Sequence, residues 1–461
     1  MKTYKGFNKD MTCNGFQYEE GKSYEKKEAI VCESGFHACE YPLNCFRYYS
    51  PNKSVYHEVE QNGEFSKDGR DTKVASTKIK IGSEIDIAGL VKAAIEYIKK
   101  RINPEAGSEE CYGTASTTED RGTANVRGAY GIASVAGEYG AASITGEYGA
   151  AIVKGKYGTA SVTGDYGAAS AEGISGASVA TGWNGAASTE GIGGGSVATG
   201  RNGAASVEGK HGVASATGEY GSAIAMGECG AASVTRGLGD ARVIGEYGAA
   251  SATGACGVAS VEGIGGSSAA TGAYGTANAT GKYGTASATG RCAIANATGK
   301  YGAASATGRG ATVNATGKYG AASVTGICGA TTTTGECGAA SATGEYGIAS
   351  VEGKYGVSAA TGEDGLAIVL GECGAASATG YKGRAVAENC ESIAVAWGYY
   401  GMAKGVIGSY LAFADWIENG YNNWTQNEWS FNGAKMVRVD GETIKENVWY
   451  TMLNGKVVEV E

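Results

Sequence analysis

The chain has 461 residues, of which 79 are glycine and 3 are proline, and a formal net charge of −9. This acidic balance argues against electrostatic binding to nucleic acid or to an anionic membrane surface. No apolar run reaches membrane-spanning length and residues 1–12 carry no apolar signal core, so the expected location is the cytoplasm, without membrane partners.

Residues 1–103 read as an α+β domain. Strands are expected at Ser54–Glu60 and Lys73–Ile81, followed by a helix near Asp86–Ile102 with Leu90, Val91, Ala94, Ile95, Ile98 and Ile102 on one face. Asn103-Pro104 ends that helix, and 104–110 form a polar linker. The domain is expected to cap the first coil of the repeats that follow, whose open strand edge would otherwise invite pairing with other chains. Cys32, His37, Cys39 and Cys45 lie close in sequence but include no Cys-x-x-Cys pair, so buried thiols and a structural histidine are expected there, with no metal and no cofactor. His57 and Glu58 are successive strand residues, which point to opposite faces and make a poor catalytic pair.

Tyr4-Lys5-Gly6, then Gly35-Phe36-His37-Ala38-Cys39, then Tyr48-Tyr49, with Glu58 or Glu60 later, resemble the motifs of the ADP-ribosyltransferase fold. The resemblance implies activity with a nicotinamide dinucleotide and a role for one of the two glutamates. It is an alternative to the main expectation, which is that the chain is not an enzyme.

From Tyr112 to about Gly408 a nonapeptide repeats, seen plainly at 139–147 (YGAASITGE) and 283–291 (YGTASATGR). A fixed period of this kind marks a solenoid, and the repeat region is assigned to 111–408. Two glycines per unit, such as Gly140 and Gly146, divide each nine into a short strand and a corner, since glycine enters positive-φ turns cheaply. Departures from the consensus fix the circuit. Glu172, Glu190, Glu208, Glu262 and Glu352 replace threonine, and the variant units begin at Ser178, Ser196, Ser268 and Ser358; within each set the separations are multiples of eighteen. A twenty-seven-residue triangular coil would scatter them over three sides. The expected fold is therefore mainly β, a two-sided parallel β-solenoid with 18 residues per coil.

Alternation along the strands points Ala142, Ile144, Ala160 and Val162 inward on one sheet and Ala133, Val135, Ala259 and Val261 inward on the other, giving a thin alanine–valine core. The threonines of the first sheet then face out in an unbroken series: Thr145, Thr163, Thr181, Thr199, Thr217, Thr235, Thr253, Thr271, Thr289, Thr307, Thr325, Thr343, Thr361 and Thr379. Serines such as Ser143, Ser161 and Ser215 precede them by two, whereas the opposite sheet carries Ile152/Lys154, Ile224/Met226 and Arg242/Ile244 at the matching places. These threonines are the expected ligand or partner surface. Tyrosines at the corners are expected to stack, and the corner cysteines to be free thiols, since cysteines on one edge are two or more coils apart and out of disulfide reach. The corners hold Gly-x-Tyr-Gly in place of the aspartates of calcium-binding nonapeptide rolls, so no calcium is expected.

Residues 409–461 break the repeat and are expected to form a small antiparallel β cap, with turns at Asp440-Gly441 and Asn454-Gly455 between strands at Met436–Val439, Val448–Leu453 and Val457–Val460. Aromatic content rises there, at Trp416, Trp424, Trp429 and Trp449.

Lys2-Thr3-Tyr4-Lys5-Gly6-Phe7, Gly35-Phe36-His37-Ala38-Cys39-Glu40, the Gly-Ala-Ala-Ser-Ala-Thr-Gly units and 433–441 (GAKMVRVDG) together resemble a family of uncharacterised proteins encoded by gut bacteria and their phages. Ser392–Gly398 with Ala403-Lys404-Gly405 is similar to the head repeats of trimeric autotransporter adhesins, which form β-rolls. The resulting expectation is a non-catalytic structural or binding scaffold, phage- or prophage-associated and so placed on a virion in the alternative location. Its Ser/Thr sheet would meet another copy, in a homo-oligomer or filament, or a repetitive polymer. An ice-binding solenoid is the further alternative.

Overall fold

Each nonapeptide forms a strand and a corner, as in Ala141–Thr145, Ala150–Lys154 and Thr159–Thr163. Within each unit the repeat strands pair in parallel with those eighteen residues on, Ala141 with Thr159 and Ala150 with Ala168, so one circuit takes two nonapeptides and the fold is a two-sided parallel β-solenoid. The computed structural model describes residues 1–67, 72–99, 109, 111–418 and 429–460, and it divides into two units, Met1–Val258 and Ala259–Glu461. Ile102, the end of the helix at Asn103-Pro104 and, apart from Glu109, the linker 104–110 lie outside the described residues, as does Trp424.

The corners show why the consensus has this form. The residue before the second glycine adopts the left-handed conformation whatever its type, with φ 59° at Tyr139, 57° at Asn184, 59° at His211 and 56° at Cys229. Glycine supplies positive φ at the first glycine of the unit, as at Gly146, but at the second glycine it does not: there the residue before it takes that conformation. The second glycine serves packing: at Gly212 an added Cβ would collide with Val207 Cγ1 in the core. The first glycine combines both demands, since Gly200 has φ +134° and a Cβ there would strike the carbonyl oxygen of Gly182 one coil back. Non-glycine residues pay in backbone strain for positive φ, and tyrosine offsets this by stacking: Tyr130 on Tyr148 at 4.7 Å, Tyr148 on Tyr166 at 4.9 Å and Tyr283 on Tyr301 at 5.1 Å.

In the first unit the core rows are Ala142, Ile144, Ala160 and Val162 against Ala133, Val135, Ala151 and Val153. The variant units put serine inside, and Ser178 and Ser196 are fully buried. Thr189 answers them from the other sheet, its hydroxyl 2.8 Å from Ser178 Oγ and donating to Gly195 O at 2.8 Å.

The N-terminal domain is a five-stranded antiparallel sheet in which Lys2–Asn8 lies between Phe36–Cys39 and Ser54–Ser66, and Lys73–Glu84 pairs with Phe36–Cys39. The helix Ile87–Lys99 buries Leu90, Val91, Ala94 and Ile95. It does not sit over the edge of the first coil as expected. It lies on the face of the second sheet, across Ala150–Lys154, Ala168–Glu172, Ala186–Glu190 and Ala204–Glu208. Tyr41 and Leu43 share a core with Ala150, Ala168, Ala186 and Ala204, with Ile152 and Ile224 packed around it. Polar contacts mark the rim: Tyr41 Oη donates to Tyr166 O at 2.7 Å, Lys92 pairs with Glu190 at 3.2 Å, Lys9 with Asp240 at 3.0 Å, and Asn52 Nδ2 donates to Leu238 O. In the first unit, the departures at Ile152, Glu190 and Ile224 on this sheet thus fall within the footprint of the docked domain.

In the second unit the same two-sided pairing holds from Ser267–Thr271 with Thr285–Thr289 onward. Its second sheet carries an asparagine stack, Asn314 Nδ2 donating to Asn296 Oδ1 at 2.9 Å and Asn296 Nδ2 to Asn278 Oδ1 at 2.8 Å. Three core hydroxyls of this unit, on Thr331, Thr333 and Ser358, are buried without a hydrogen-bond partner among the described residues, and Thr333 stands in register with Val351. Thr333→Val is expected to raise the unfolding free energy by about 1–3 kcal/mol, because it removes an unsatisfied hydroxyl; urea melts of the two proteins read this directly.

The stack ends when Tyr410–Glu418, parallel to Ile393–Ala396, is met by an antiparallel strand, Trp429–Arg438. The other sheet is closed by Tyr450–Leu453 and Lys456–Glu459, joined at Asn454-Gly455 as expected. Asp440-Gly441 is not a hairpin turn. It begins the crossing from one sheet to the other, with Asp440 accepting from the amides of Glu442 and Ile444, both at 2.9 Å. Those amides hold its carboxyl below the usual aspartate range.

Candidate functional site

Two surfaces carry the chemistry singled out by the sequence: the hydroxyl-bearing sheet and a cleft in the N-terminal domain. On the sheet of the first unit, Thr145, Thr163, Thr181, Thr199, Thr217, Thr235 and Thr253 stand opposite one another in register, coil to coil. All are exposed except Thr217, which is half-buried. In the second unit Thr271, Thr289, Thr307, Thr325 and Thr343 continue in register. Thr361 follows with its hydroxyl 3.4 Å from that of Thr343, then Thr379; all seven are exposed.

What lies between the threonines matters as much. Every outward residue on this sheet from Ala141 to Thr379 is Ala, Gly, Ser, Thr or Val, in a chain with 38 Lys and Arg and 47 Asp and Glu. Charge is displaced to the corners and the other sheet, where it pairs from coil to coil: Lys156 with Glu138 at 3.3 Å, Lys210 with Glu228 at 2.9 Å, Lys318 with Glu336 at 2.8 Å, and Lys154 with Glu172 at 3.1 Å. In the second unit the hydroxyl sheet is dished, with a shallow groove of about 620 Å³ whose floor includes Ser287, Ser305, Ser323 and Ser341.

The N-terminal cleft, about 460 Å³, brings together the stretches read as transferase-like: Tyr4-Lys5-Gly6, His37 and Cys39, and Tyr48-Tyr49. Gly6 is required by the close approach of Tyr49, whose Cβ lies 2.5 Å from where a residue-6 Cβ would stand. His37 Nε2 accepts from the Cys32 amide at 3.0 Å, and burial together with Lys5 and Lys73 lowers its pKa, leaving it neutral at pH 7. Tyr18 is pushed up to about 12, mainly by burial. The glutamates of the resemblance are not here. Glu58 pairs with Lys2 at 2.6 Å and lines, with Glu60, a separate depression beside Met1 and Lys80. His57 is buried and bonded to Gly82 O at 2.9 Å, on the face opposite Glu58. Cys32, His37, Cys39 and Cys45 form no metal-ligand group among the described residues, and Cys32 Sγ instead accepts from Lys73 Nζ at 3.0 Å. Sequence reasoning missed Phe16, Tyr18, Lys26 and Lys73, which reach the cleft from a loop, short strands and a distant strand.

The fold defines a two-sided parallel β-solenoid carrying a docked α+β domain. Residues 1–93 match the family described as a domain of unknown function (DUF7666), which is 93 of the 461 residues. No curated protein and no solved structure matches the chain. No helix among the described residues is long and apolar enough to cross a membrane.

Proposed function

We propose that the protein is a non-catalytic β-solenoid scaffold whose hydroxyl-bearing sheet packs against the same sheet of a second copy. The observation that supports this is that the outward residues of this sheet carry no charge in either unit, from Ala141 to Thr253 in the first and from Ser267 to Thr379 in the second. Exposed strands are normally kept apart by charged side chains; here the side chains are short and uncharged, so a second sheet can approach closely and desolvate little beyond hydroxyls that can bond across the contact. The opposite sheet of the first unit is occupied by its own N-terminal domain, which leaves the hydroxyl sheet as the open face.

The test is light scattering on the wild type beside Thr217→Lys/Thr235→Lys/Thr253→Lys. The wild type is expected to run as a dimer or larger species and the triple variant as a monomer, because three ammonium groups in register would be forced into an apolar contact. A monomeric wild type, or an oligomer indifferent to the three lysines, counts against the reading. A repetitive polymer is a second candidate partner, favoured by the dished groove of the second unit.

A further inference from the structure

Within the second unit the hydroxyl sheet changes character at its C-terminal end. Trp397 takes the next place after Thr379 in the threonine row: Ala396 stands in register with Ala378, and the Trp397 amide donates to Ala378 O at 2.8 Å. Its indole lies against Phe431, with ring centroids 5.8 Å apart and planes 27° apart. A second stacked pair is Tyr399 with Trp429, at 4.6 Å and 28°. Trp416 joins the two pairs, edge-on to Phe431 at 5.4 Å and to Tyr399 at 4.8 Å, and its Nε1 donates to Trp397 O at 2.8 Å. These rings are not the closing core of the cap, which is built from Leu411, Phe413, Val439, Ile444 and Tyr450. They stay in water: Phe431 is 52% exposed, Tyr400, edge-on to Trp429, is 45% exposed and Trp397 39%. Exposed apolar groups gathered into one patch mark an interaction site. Here the rings lock one another in place, so little ordering cost is left for a ligand to meet.

Aromatic faces carry the negative side of a quadrupole and attract C–H bonds, and the hydroxyls of the adjoining row, on Thr379 and Thr361, both donate and accept hydrogen bonds without bringing charge. A ligand that matches both is apolar on its faces, rimmed with hydroxyls and uncharged, which is the chemistry of a pyranose. A nucleic-acid strand also stacks on rings, but the chain's net charge of −9 opposes it. We infer that this aromatic strip binds an uncharged polysaccharide, with sugar faces on Phe431 and Trp397 and with Thr379, one coil back in the row, offering its hydroxyl. The inference rests on the rings and is independent of packing between hydroxyl sheets.

Native electrophoresis of the full chain through gels containing hydroxyethylcellulose, glucomannan or arabinoxylan tests this, on the wild type and on Thr217→Lys/Thr235→Lys/Thr253→Lys. At least one of these neutral polymers is expected to retard both proteins, so that loss of sheet packing leaves binding intact. Trp397→Ala and Phe431→Ala should each weaken binding about tenfold, the scale of one lost stacking contact, whereas Trp397→Phe keeps a ring and should lose less. Both residues are exposed, so the alanine variants are expected to fold, with circular dichroism matching the wild type. Mobility unaffected by all three polymers overturns the inference, as does retardation that neither alanine variant changes. Retardation of the wild type but not of the lysine variant places the polymer on the hydroxyl sheet and likewise overturns it. Equal retardation of the wild type by alginate, an anionic polymer, overturns the uncharged class. Sedimentation with phosphatidylcholine vesicles in place of retardation, lost in Trp397→Ala, assigns the strip to a lipid surface and overturns the polysaccharide.

Discussion

Tyr41→Ala is expected to release the N-terminal domain from the solenoid and to lower stability by about 3–5 kcal/mol, the range for truncating a large buried aromatic residue. Tyr41 has no exposed surface, and its ring lies 5.3 Å from both Tyr97 of the helix and Tyr148 of a coil corner. Its hydroxyl donates to Tyr166 O, and burial raises its pKa well above the ordinary tyrosine value. The residue thus ties the domain to two successive coils at once. Without it, the helix face of Leu90, Val91, Ala94 and Ile95 still packs on the coils but loses its central aromatic, and Lys92–Glu190 and Lys9–Asp240, whose lysines are solvent-exposed, add little. Urea unfolding followed by aromatic fluorescence should split into two transitions, and limited proteolysis should cut within the first hundred residues before the coils. Tyr41→Phe keeps both ring contacts and should lose only the hydrogen bond, about 1 kcal/mol. One unchanged, cooperative transition in Tyr41→Ala would show that the domain is held by something other than this anchor.

The docked domain also explains which features were legible in the sequence. The eighteen-residue circuit could be read because substitutions repeat with the period of the coil: Glu172, Glu190 and Glu208 stand in register on one strand row. The exposure of the threonines followed from strand alternation alone. The contrast between the two sheets was visible too, but its cause was not, since nothing local in Ile152, Ile224, Leu238 or Asp240 says that a domain from earlier in the chain will lie on them. Ser188 and Ser206 make the point, being buried at outward positions because the domain covers them. The corner was legible only in part: the first glycine takes positive φ as steric grounds suggest, but the residue before the second glycine does so too, and stacking down the column lets tyrosine hold that conformation. In the cleft, the transferase-like stretches did converge, but strand register put Glu58 opposite Tyr4 with its carboxylate turned toward Lys2, away from His37. Lys26 and Lys73 carry no motif and meet only through tertiary pairing.

Deleting residues 409–461 is expected to turn a well-behaved solenoid into an aggregating one. The deletion uncovers the edges of Ile393–Ala396 and Met402–Gly405, two parallel strands whose free amides and carbonyls would be open to any passing strand. It also removes Leu411 and Phe413, both fully buried, and Val439 and Tyr450, which close the end of the alanine core. The experiment belongs in the Thr217→Lys/Thr235→Lys/Thr253→Lys background, so that contact through the hydroxyl sheet is suppressed and edge pairing alone is read. Light scattering should then show particles that grow with time and concentration for the truncated chain and a stable monomer for the capped one. Equal, monodisperse behaviour would mean that the cap has no protective role. The cap itself shows how protection is achieved. On one sheet the reversal to Trp429–Arg438 is broken by an irregularity at Asp415/Trp416, which prevents a long regular edge. On the other, the last strand is only Lys456–Glu459, four residues with an exposed charge at each end, too short and too polar to template another copy.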